Sequence, residues 1–479
     1  MTRHQAPMVP GAVPTAQVLE VRAPFDDSLI ATVATLDRAG IDQALATAHE
    51  LFADRSAWLP AARRIDILNR IAALLEQHAD RLTRLAAREG GKPLLDSRVE
   101  MARAIDGIRL CAQCIRTGHG TEIPMGINAA SQHRVAFSHP EPIGVAVALS
   151  AFNHPLNLIV HQVGPAIAAG CPVIVKPADD TPLSCYALVE LFRQAGLPDA
   201  WCQVVTTTGH EVSQALACDP RVAFLSFIGS AAVGWMLRGK LAPGTRCALE
   251  HGGIAPVIVA ADADLDAAVP LLAKGGFYHA GQVCISVQRV FAHRSIARTL
   301  AHGIAAAGDA MVVGDPTAET TEVGPLIRPG EVDRVHAWVE EAIAAGAEIL
   351  SGGVRLSASC YRPTVLFDPP DSARVSCDEV FGPVICVYPY DDLDEAIARA
   401  NCLRFAFHAA VFTRDLDTAM HAYRRLDASA VLLNDHTAFR VDWMPFAGLR
   451  HSGLGVGGIP YTFADLQVHK MLVIRSGQL

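Results

Sequence analysis

Cys284 lies where the predicted structure changes from helix to strand. Residues 271–277 have the pattern of a helix end, and residues 285–292 are rich in β-branched side chains, which predicts a strand. Gly281 frees the backbone just before the cysteine. Such a turn can present a thiol to a cleft, where its thiolate would act as a nucleophile. The alternative is that Cys284 simply packs, because a free cysteine behaves as a small hydrophobic residue.

Two upstream segments favour the nucleophile. Residues 150–155 (SAFNHP) contain an amide at Asn153, and residues 249–253 (LEHGG) contain a carboxylate at Glu250. An amide can stabilise an oxyanion and a carboxylate can act as a general base, so with the thiol they form a possible catalytic set.

The elements around Asn153 alternate between strand and helix. Strands are predicted at 143–150, 171–176, 202–205 and 224–228, and helices at 156–169 and 184–195. This alternation predicts a doubly wound parallel sheet, in which ligands bind at the carboxyl ends of the strands. Asn153, Lys176 and Gly229 all fall just past such ends.

Residues 229–234 (GSAAVG) follow a strand and precede a helical run, so their backbone N–H groups suit a pyrophosphate. The alternative is a glycine retained for steric reasons. Lys176 could be a ligand or a solvated strand end. Asp179 could accept hydrogen bonds from ribose hydroxyls and would repel a 2′-phosphate. The GLGVGG at 453–458 lacks a preceding strand and is predicted not to bind a dinucleotide.

Composition limits the function classes. A chain of 479 residues, 51% of them hydrophobic, is long enough for roughly three domains of ~150 residues. A net charge of −9 without a basic cluster argues against nucleic acid as a partner. No apolar run approaches the ~18 residues of a membrane span. Twelve scattered cysteines and no signal-peptide core in residues 1–14 predict a reducing, cytoplasmic location, and no metal site is expected.

The remaining chain completes the outline. Helices are predicted at 41–54, 61–88 and 97–117, and extended segments near 124–142. A second alternating region runs from 253 to about 433. The last stretch, 454–479, is expected to pair with the extended segments near 124–142, within one chain or across subunits.

Seven segments, taken in order, resemble those of the aldehyde dehydrogenase superfamily. They are AFNHP at 151–155, VIVKPADDTP at 173–182, FIGSAAVG at 227–234, LEHGG at 249–253, GQVC at 281–284, EVFGP at 379–383 and MPFAGLRHSGLG at 444–455. The resemblance covers residues 41–474.

The resemblance implies an α/β fold with three parts. A doubly wound parallel-sheet domain that binds NAD(P) would comprise residues 1–123 and 143–249. A second α/β domain, the catalytic domain, would comprise 250–445. A small β extension for oligomerisation would comprise 124–142 and 454–479, and the protein would form a homodimer or homotetramer.

The resemblance also implies a mechanism. The Cys284 thiolate would attack an aldehyde carbon, and the Asn153 amide and the Cys284 N–H would hold the oxyanion. Hydride transfer would then give a thioester, which Glu250 would help water to hydrolyse to the acid.

For the cofactor, the resemblance implies NAD, with NADP as the alternative. The contact residues would be Phe152, Lys176, Asp179, Gly229, Ser230, Val233, Glu379 and Phe381. Asp179 stands where the family usually has Glu, so its shorter reach could weaken ribose binding or relax the choice of cofactor. A second departure from the family pattern is that Val456 and Gly457 stand where the family commonly has an Arg-Glu pair.

The substrate hypothesis is a small polar or anionic aldehyde, of the phosphonoacetaldehyde, semialdehyde or lactaldehyde kind. The candidate residues are Arg109, His154, Arg289 and Arg440, because arginines suit carboxylate, phosphonate or sulfonate groups. The alternative for each arginine is a structural ion pair.

Three competing functions remain. A CoA-acylating dehydrogenase has less need of a base such as Glu250. A silent cofactor-binding structural protein leaves Cys284, Glu250 and Asn153 unexplained. A thioesterase-like hydrolase leaves the Lys176, Gly229 and Glu379 segments unexplained.

Overall fold

Two mostly parallel β-sheets, each covered by helices, carry most of the chain. The structure is a computed structural model and describes residues 3–479. The strands are β1 (Arg3–Gln5), β2 (Val18–Arg22), β3 (Leu29–Ala34), β4 (Glu122–Ile123), β5 (Arg134–Pro142), β6 (Val145–Leu149), β7 (Val173–Lys176), β8 (Cys202–Val204), β9 (Val222–Ile228), β10 (Arg246–Glu250), β11 (Ala255–Val259), β12 (Val287–His293), β13 (Glu348–Ser351), β14 (Thr364–Phe367), β15 (Val384–Tyr390), β16 (Phe405–Ala406), β17 (His408–Phe412), β18 (Ala430–Leu433), β19 (Leu449–Arg450), β20 (Gly453–Leu454) and β21 (Gln467–Arg475). The α-helices are α1 (Arg38–Ala53), α2 (Ala61–Gln77), α3 (Ala79–Gly90), α4 (Leu94–Thr117), α5 (Asn157–Ala169), α6 (Pro182–Gln194), α7 (His210–Ala217), α8 (Ala231–Arg238), α9 (Leu265–Phe277), α10 (Arg294–Ala310), α11 (Pro329–Ala344), α12 (Arg374–Cys377), α13 (Leu393–Asn401), α14 (Leu416–Arg425) and α15 (Ile459–Asp465).

The first sheet has the order β20–β10–β9–β6–β7–β8 and is parallel except at β20. All residues of its central strand β6 are buried. The odd-numbered residues from Val145 to Leu149 face a core shared with α1, whereas Ala146 and Ala148 face a core built with α2, α4 and α5. A strand covered on both faces is apolar throughout, and the strand predicted at 143–150 is therefore confirmed.

The second sheet has the order β13–β14–β15–β12–β11–β17–β18, with β13 antiparallel to β14. Val257, Val290 and Val387, from three neighbouring strands, are fully buried in one core. The predicted α/β class, with a doubly wound sheet and a second α/β sheet, is confirmed. The domain boundaries proposed from the sequence stay a prediction.

The third sheet pairs the chain end with a mid-chain strand. Strand β21 runs antiparallel to β5, with Gln467 opposite Pro142 and Arg475 opposite Arg134. Strand β4 adds to the other side of β5. The predicted pairing between residues 454–479 and 124–142 therefore forms within one chain.

The predicted helix at 61–88 is divided in two. The backbone leaves helical values at His78 (φ −105°, ψ 12°), where α2 ends and α3 begins. This bend turns Leu82 and Ala86 of α3 into the core that also contains α4 and α6. Within residues 3–479, no helix is both long and apolar enough to cross a bilayer.

Candidate active site

A cavity of about 720 Å³ opens at the carboxyl ends of the first sheet and extends toward the second. Strands β7, β9 and β10 each end in a residue that lines it, namely Lys176, Ile228 and Glu250. This is the edge of a parallel sheet at which ligands bind.

Cys284 reaches the cavity from the turn between α9 and β12. His279, Ala280 and Gly281 have φ values of 49°, 54° and 71°, so three successive residues are in the left-handed region. A Cβ atom on Gly281 would lie 2.1 Å from the carbonyl oxygen of Gly382, which only glycine avoids. The turn is thus tightly fixed, and the half-buried thiol lines the cavity as predicted.

The Asn153 side chain is tied to the same turn. Its Nδ2 donates to the carbonyl oxygen of Gln282 at 2.9 Å, and the residue is only 6% exposed. Gln282 is itself anchored, because its Oε1 accepts from the Ile327 N–H at 2.9 Å and its Nε2 donates to the Pro325 carbonyl at 3.2 Å. The Asn153 amide is therefore held against the backbone two residues before Cys284, and both side chains line the cavity.

Glu250 ends β10 and directs its carboxylate into the cavity. A Cβ atom on Gly457 would lie 2.2 Å from Glu250 Oε1, so the carboxylate occupies space that a larger residue would fill. Burial raises the pKa of Glu250, and the charge of Arg440 opposes the rise. A carboxylate with a raised pKa is a stronger base than one in water, which suits it to accept a proton.

This environment favours the protonated form of the Cys284 thiol. Burial raises its pKa to about 12, the Arg440 charge lowers it, and the carboxylates of Glu250 and Glu379 raise it further. Formation of the thiolate therefore needs a neighbouring proton acceptor.

The eight residues predicted to contact a dinucleotide all line this cavity: Phe152, Lys176, Asp179, Gly229, Ser230, Val233, Glu379 and Phe381. Lys176 Nζ lies 2.6 Å from Asp179 Oδ1, and Ser230 precedes the first turn of α8. Glu379 Oε1 is buried without a hydrogen-bond partner, and burial raises the pKa of this carboxyl to about 8. A cavity lined by an orphaned carboxylate oxygen and by a helix start fits a group with hydroxyls and phosphates, as NAD(P) has.

Two of the four predicted substrate residues, His154 and Arg440, line the cavity. The other two lie outside its lining. Arg109 is exposed and forms an ion pair with Glu76. Arg289 is 2% exposed, donates to the Arg399 carbonyl and stacks on Phe291. Both are in structural contacts, so we no longer assign them to the substrate.

Comparisons with known proteins show the family to which this chain belongs. Residues 12–472 match the aldehyde dehydrogenase family. The chain belongs to the aldehyde dehydrogenase family. It is 36% identical over 461 residues to the 3-sulfolactaldehyde dehydrogenase of Priestia aryabhattai, covering 96% of each chain.

Two solved structures of family members are closely similar. Aldehyde dehydrogenase 21 from Physcomitrella patens, in complex with the reaction product succinate, has a TM-score of 0.95 and 32% identity over 100% of both chains. A glyceraldehyde-3-phosphate dehydrogenase from Methanocaldococcus jannaschii, complexed with NADP, has a TM-score of 0.92 and 32% identity over 96% of this chain and 100% of that one. The predicted resemblance, fold class and enzyme class are thus confirmed.

In this aldehyde dehydrogenase, the polar residues that line the cavity and were not predicted include Arg103, Lys274, Tyr278 and His436. Helix geometry could have drawn attention to Arg103. This residue precedes Arg109 by six positions on α4, and at 3.6 residues per turn that spacing puts the two arginines on different faces of the helix. Only the fold shows which face borders the cavity.

Proposed function

We propose that the protein oxidises a small aldehyde bearing an anionic group to the carboxylic acid, with NAD or NADP as the oxidant. One observation carries the proposal. The cavity that holds Cys284, Asn153 and Glu250 also holds an arginine, Arg440, without a carboxylate partner among residues 3–479.

The proposed chemistry uses three side chains. Glu250 accepts the thiol proton, and the Cys284 sulfur attacks the aldehyde carbon to form a thiohemiacetal. The Asn153 amide and the Cys284 N–H donate to the oxyanion, and one such donor is worth roughly 3–4 kcal/mol at the transition state. When bound, NAD(P) would supply the acceptor for the hydride, whose loss leaves a thioester on Cys284. Glu250 releases the thiol proton to solvent and then takes a proton from the water that attacks the thioester. It returns this proton to the departing sulfur, which releases the acid and the thiol.

The residues proposed to hold the cofactor have the appropriate chemistry. Lys176 and Asp179 would face the adenosine ribose, the N–H groups that follow Gly229 and Ser230 the phosphates, and Glu379 the nicotinamide ribose. Phe152 and Phe381 meet edge to face with ring centroids 5.9 Å apart. They would pack beside the nicotinamide, with Val233 on the adenosine side.

We call the part of the cavity that is lined by Arg103, Lys274 and Arg440 its substrate end. The charges there favour an anionic substrate. Arg103 and Lys274 are each paired, with Asp442 at 2.6 Å and with Asp96 at 3.1 Å. Arg440 keeps its charge unpaired, and burial lowers its pKa. A carboxylate, sulfonate or phosphonate would supply the missing negative charge, and planar oxygens suit a guanidinium.

We also infer that the chain forms a homodimer or homotetramer. Strand β21 exposes Met471, Leu472, Val473 and Ile474, and Phe137 of β5 is 42% exposed. Successive residues of a strand alternate between the two faces of the sheet, so both faces expose apolar side chains here, and such exposure often marks an interface. Light scattering after gel filtration tests it, and a monomer at micromolar concentration would contradict it.

The free state of all twelve cysteines supports a reducing, cytoplasmic setting.

The substrate test compares kcat/KM for phosphonoacetaldehyde, succinic semialdehyde and propanal, with NAD and with NADP. We expect the two anionic aldehydes to be preferred. Arg440→Met should reduce kcat/KM for them by roughly tenfold to a hundredfold, because it removes a charge-assisted hydrogen bond. It should reduce kcat/KM for propanal by less, because propanal loses only the effect of the Arg440 charge on Cys284 and Glu250.

Arg109→Met is the matched control, since Arg109 is an arginine paired on the surface. We expect it to leave all three substrates unchanged. Equal kcat/KM for charged and neutral aldehydes, or an equal loss with Arg440→Met, would contradict the anionic substrate. An acyl-CoA product when CoA is added would instead support the acylating alternative.

A further inference from the structure

Asp442 lies at the centre of a buried polar network at the substrate end of the cavity. Its side chain is 3% exposed. Oδ1 accepts from Arg103 Nη2 at 2.6 Å, from His161 Nε2 at 2.6 Å and from Asn157 Nδ2 at 3.2 Å. Oδ2 accepts from Arg103 Nε at 3.2 Å. One carboxylate thus holds a cationic side chain of the cavity and two side chains of α5.

His161 connects this carboxylate to Arg440. Arg440 Nη2 donates to His161 Nδ1 at 3.2 Å. A guanidinium can only donate, so Nδ1 must be the acceptor and the ring proton must be on Nε2, where it bonds Asp442. Burial lowers the pKa of His161 to about 4, which keeps the ring neutral and its Nδ1 lone pair available.

Arg440 is restrained from a second side. Its guanidinium carbon lies 3.5 Å from the centroid of the Phe446 ring, a stacked position. The ring limits movement of the guanidinium toward its face, and the hydrogen bond to His161 limits its rotation. Residues 161 and 440 come from different elements, so only the folded chain makes this arrangement.

We propose that His161 and Asp442 are positioning residues for substrate recognition, in which Asp442 orients the His161 ring and His161 orients Arg440 toward the anionic group of the substrate. The inference rests on the proposed function, because it concerns the same anionic group.

The neutral ring explains why Arg440 is not paired directly. A carboxylate bonded to Arg440 would fix the guanidinium but would neutralise its charge, as Asp442 does for Arg103. An imidazole between the two fixes the guanidinium and leaves the charge for the substrate. Such preorganisation improves binding because less side-chain freedom is lost when the ligand arrives.

The test uses His161→Leu, which removes both ring hydrogen bonds. For phosphonoacetaldehyde and succinic semialdehyde we expect KM to rise roughly tenfold while kcat changes little, because Arg440 is needed equally in the ground state and the transition state. For propanal we expect KM to stay within about twofold, since propanal has no anionic group to meet Arg440.

His161→Gln is the conservative variant, because its side chain keeps one donor and one acceptor. We expect the KM of this variant for the anionic aldehydes to be close to that of the wild type. His336→Leu is the matched control, because His336 lies outside the cavity and bonds Tyr361 OH at 3.3 Å. We expect it to leave both substrate classes unchanged. His161→Phe, which keeps a ring without nitrogen, replaces His161→Leu if that variant does not fold.

The outcomes separate this inference from the proposed function. If the wild type does not prefer anionic aldehydes, or Arg440→Met affects all substrates equally, the proposed function fails. If both behave as expected and His161→Leu equals the wild type, the positioning role is overturned. A His161→Leu defect of equal size for propanal, or no recovery in His161→Gln, would show a structural role and would also overturn it.

Discussion

Gly457 leaves the space that the Glu250 carboxylate occupies, which makes Gly457→Ala an informative substitution. The added Cβ would lie 2.2 Å from Glu250 Oε1 and 3.0 Å from the Phe446 carbonyl oxygen. Ordinary contact between such atoms is about 3.5 Å, so the carboxylate must move by more than about 1 Å. The carboxylate ends a flexible side chain, and Gly457 does not have a positive φ, so we expect the variant to fold.

The expected cost falls on the two steps that use Glu250, which are formation of the thiolate and hydrolysis of the thioester. Displacement of a catalytic group by about 1 Å can reduce a rate roughly 100-fold. Glu250 is proposed to activate the water that hydrolyses the thioester, so steady-state kcat should fall by about that factor. The first turnover should slow as well, because Glu250 is proposed to take the thiol proton before the sulfur attacks. Stopped-flow absorbance of the reduced nicotinamide should then show that the first and the later turnovers are both slower than in the wild type.

Two further variants make the reasoning refutable. Gly330→Ala adds the same methyl group where no atom lies within 4 Å, and it should behave as the wild type. Gly457→Ala combined with Glu250→Gln should be no slower than Glu250→Gln alone, because both act through one carboxylate. A first turnover and a steady-state kcat equal to those of the wild type in Gly457→Ala, or an additive loss in the double variant, would refute the explanation.

Three other predictions follow from the site. Asn153→Ala should reduce kcat by roughly 100- to 1,000-fold by removing an oxyanion donor, and single-turnover rates should show that loss in the first turnover. Glu250 must be ionised to act, and burial raises its pKa above the ordinary 4.5. The kcat should therefore fall as the pH drops through that raised value. The pH profile of Glu250→Gln should lack this fall at acidic pH. A Cβ on Gly252 would lie 1.8 Å from Glu379 Oε1, so Gly252→Ala should displace Glu379. The KM for NAD(P) should then rise several-fold. An unchanged KM would indicate that Glu379 does not contact the cofactor.

Local pattern was sufficient to predict the elements that carry the site. The run from Val145 to Leu149 is apolar at every position because both of its faces are covered, so its strand could be identified from sequence. The division at His78 could not be, because Ala61–Gln77 and Ala79–Gly90 continue one helical periodicity and no proline separates them. Packing of α3 against α4 and α6 decides where the chain bends.

The residues near the reacting sulfur were accessible to sequence reasoning, whereas those at the substrate end were not. Cys284, Glu250 and Asn153 each lie in a short segment with its own strand or turn signal. Arg103 and Arg109 share one helix and one chemistry, and only the neighbours of α4 show that Arg103 reaches the cavity. The contact of His161 with Asp442 joins residues 281 positions apart, and no local pattern encodes it.

Burial acts on all the ionisable groups around the sulfur in the same sense. It raises the pKa values of Cys284, Glu250 and Glu379 and lowers that of Arg440, so each is driven toward its neutral form. Creating an extra charge in such a cavity is costly, but moving one is not. Transfer of the thiol proton to the Glu250 carboxylate moves a negative charge from oxygen to sulfur without changing the total. Arg440 is close enough to affect the pKa of both groups, so it stabilises that charge on either atom, and the protein can generate the thiolate without exposing the site to water.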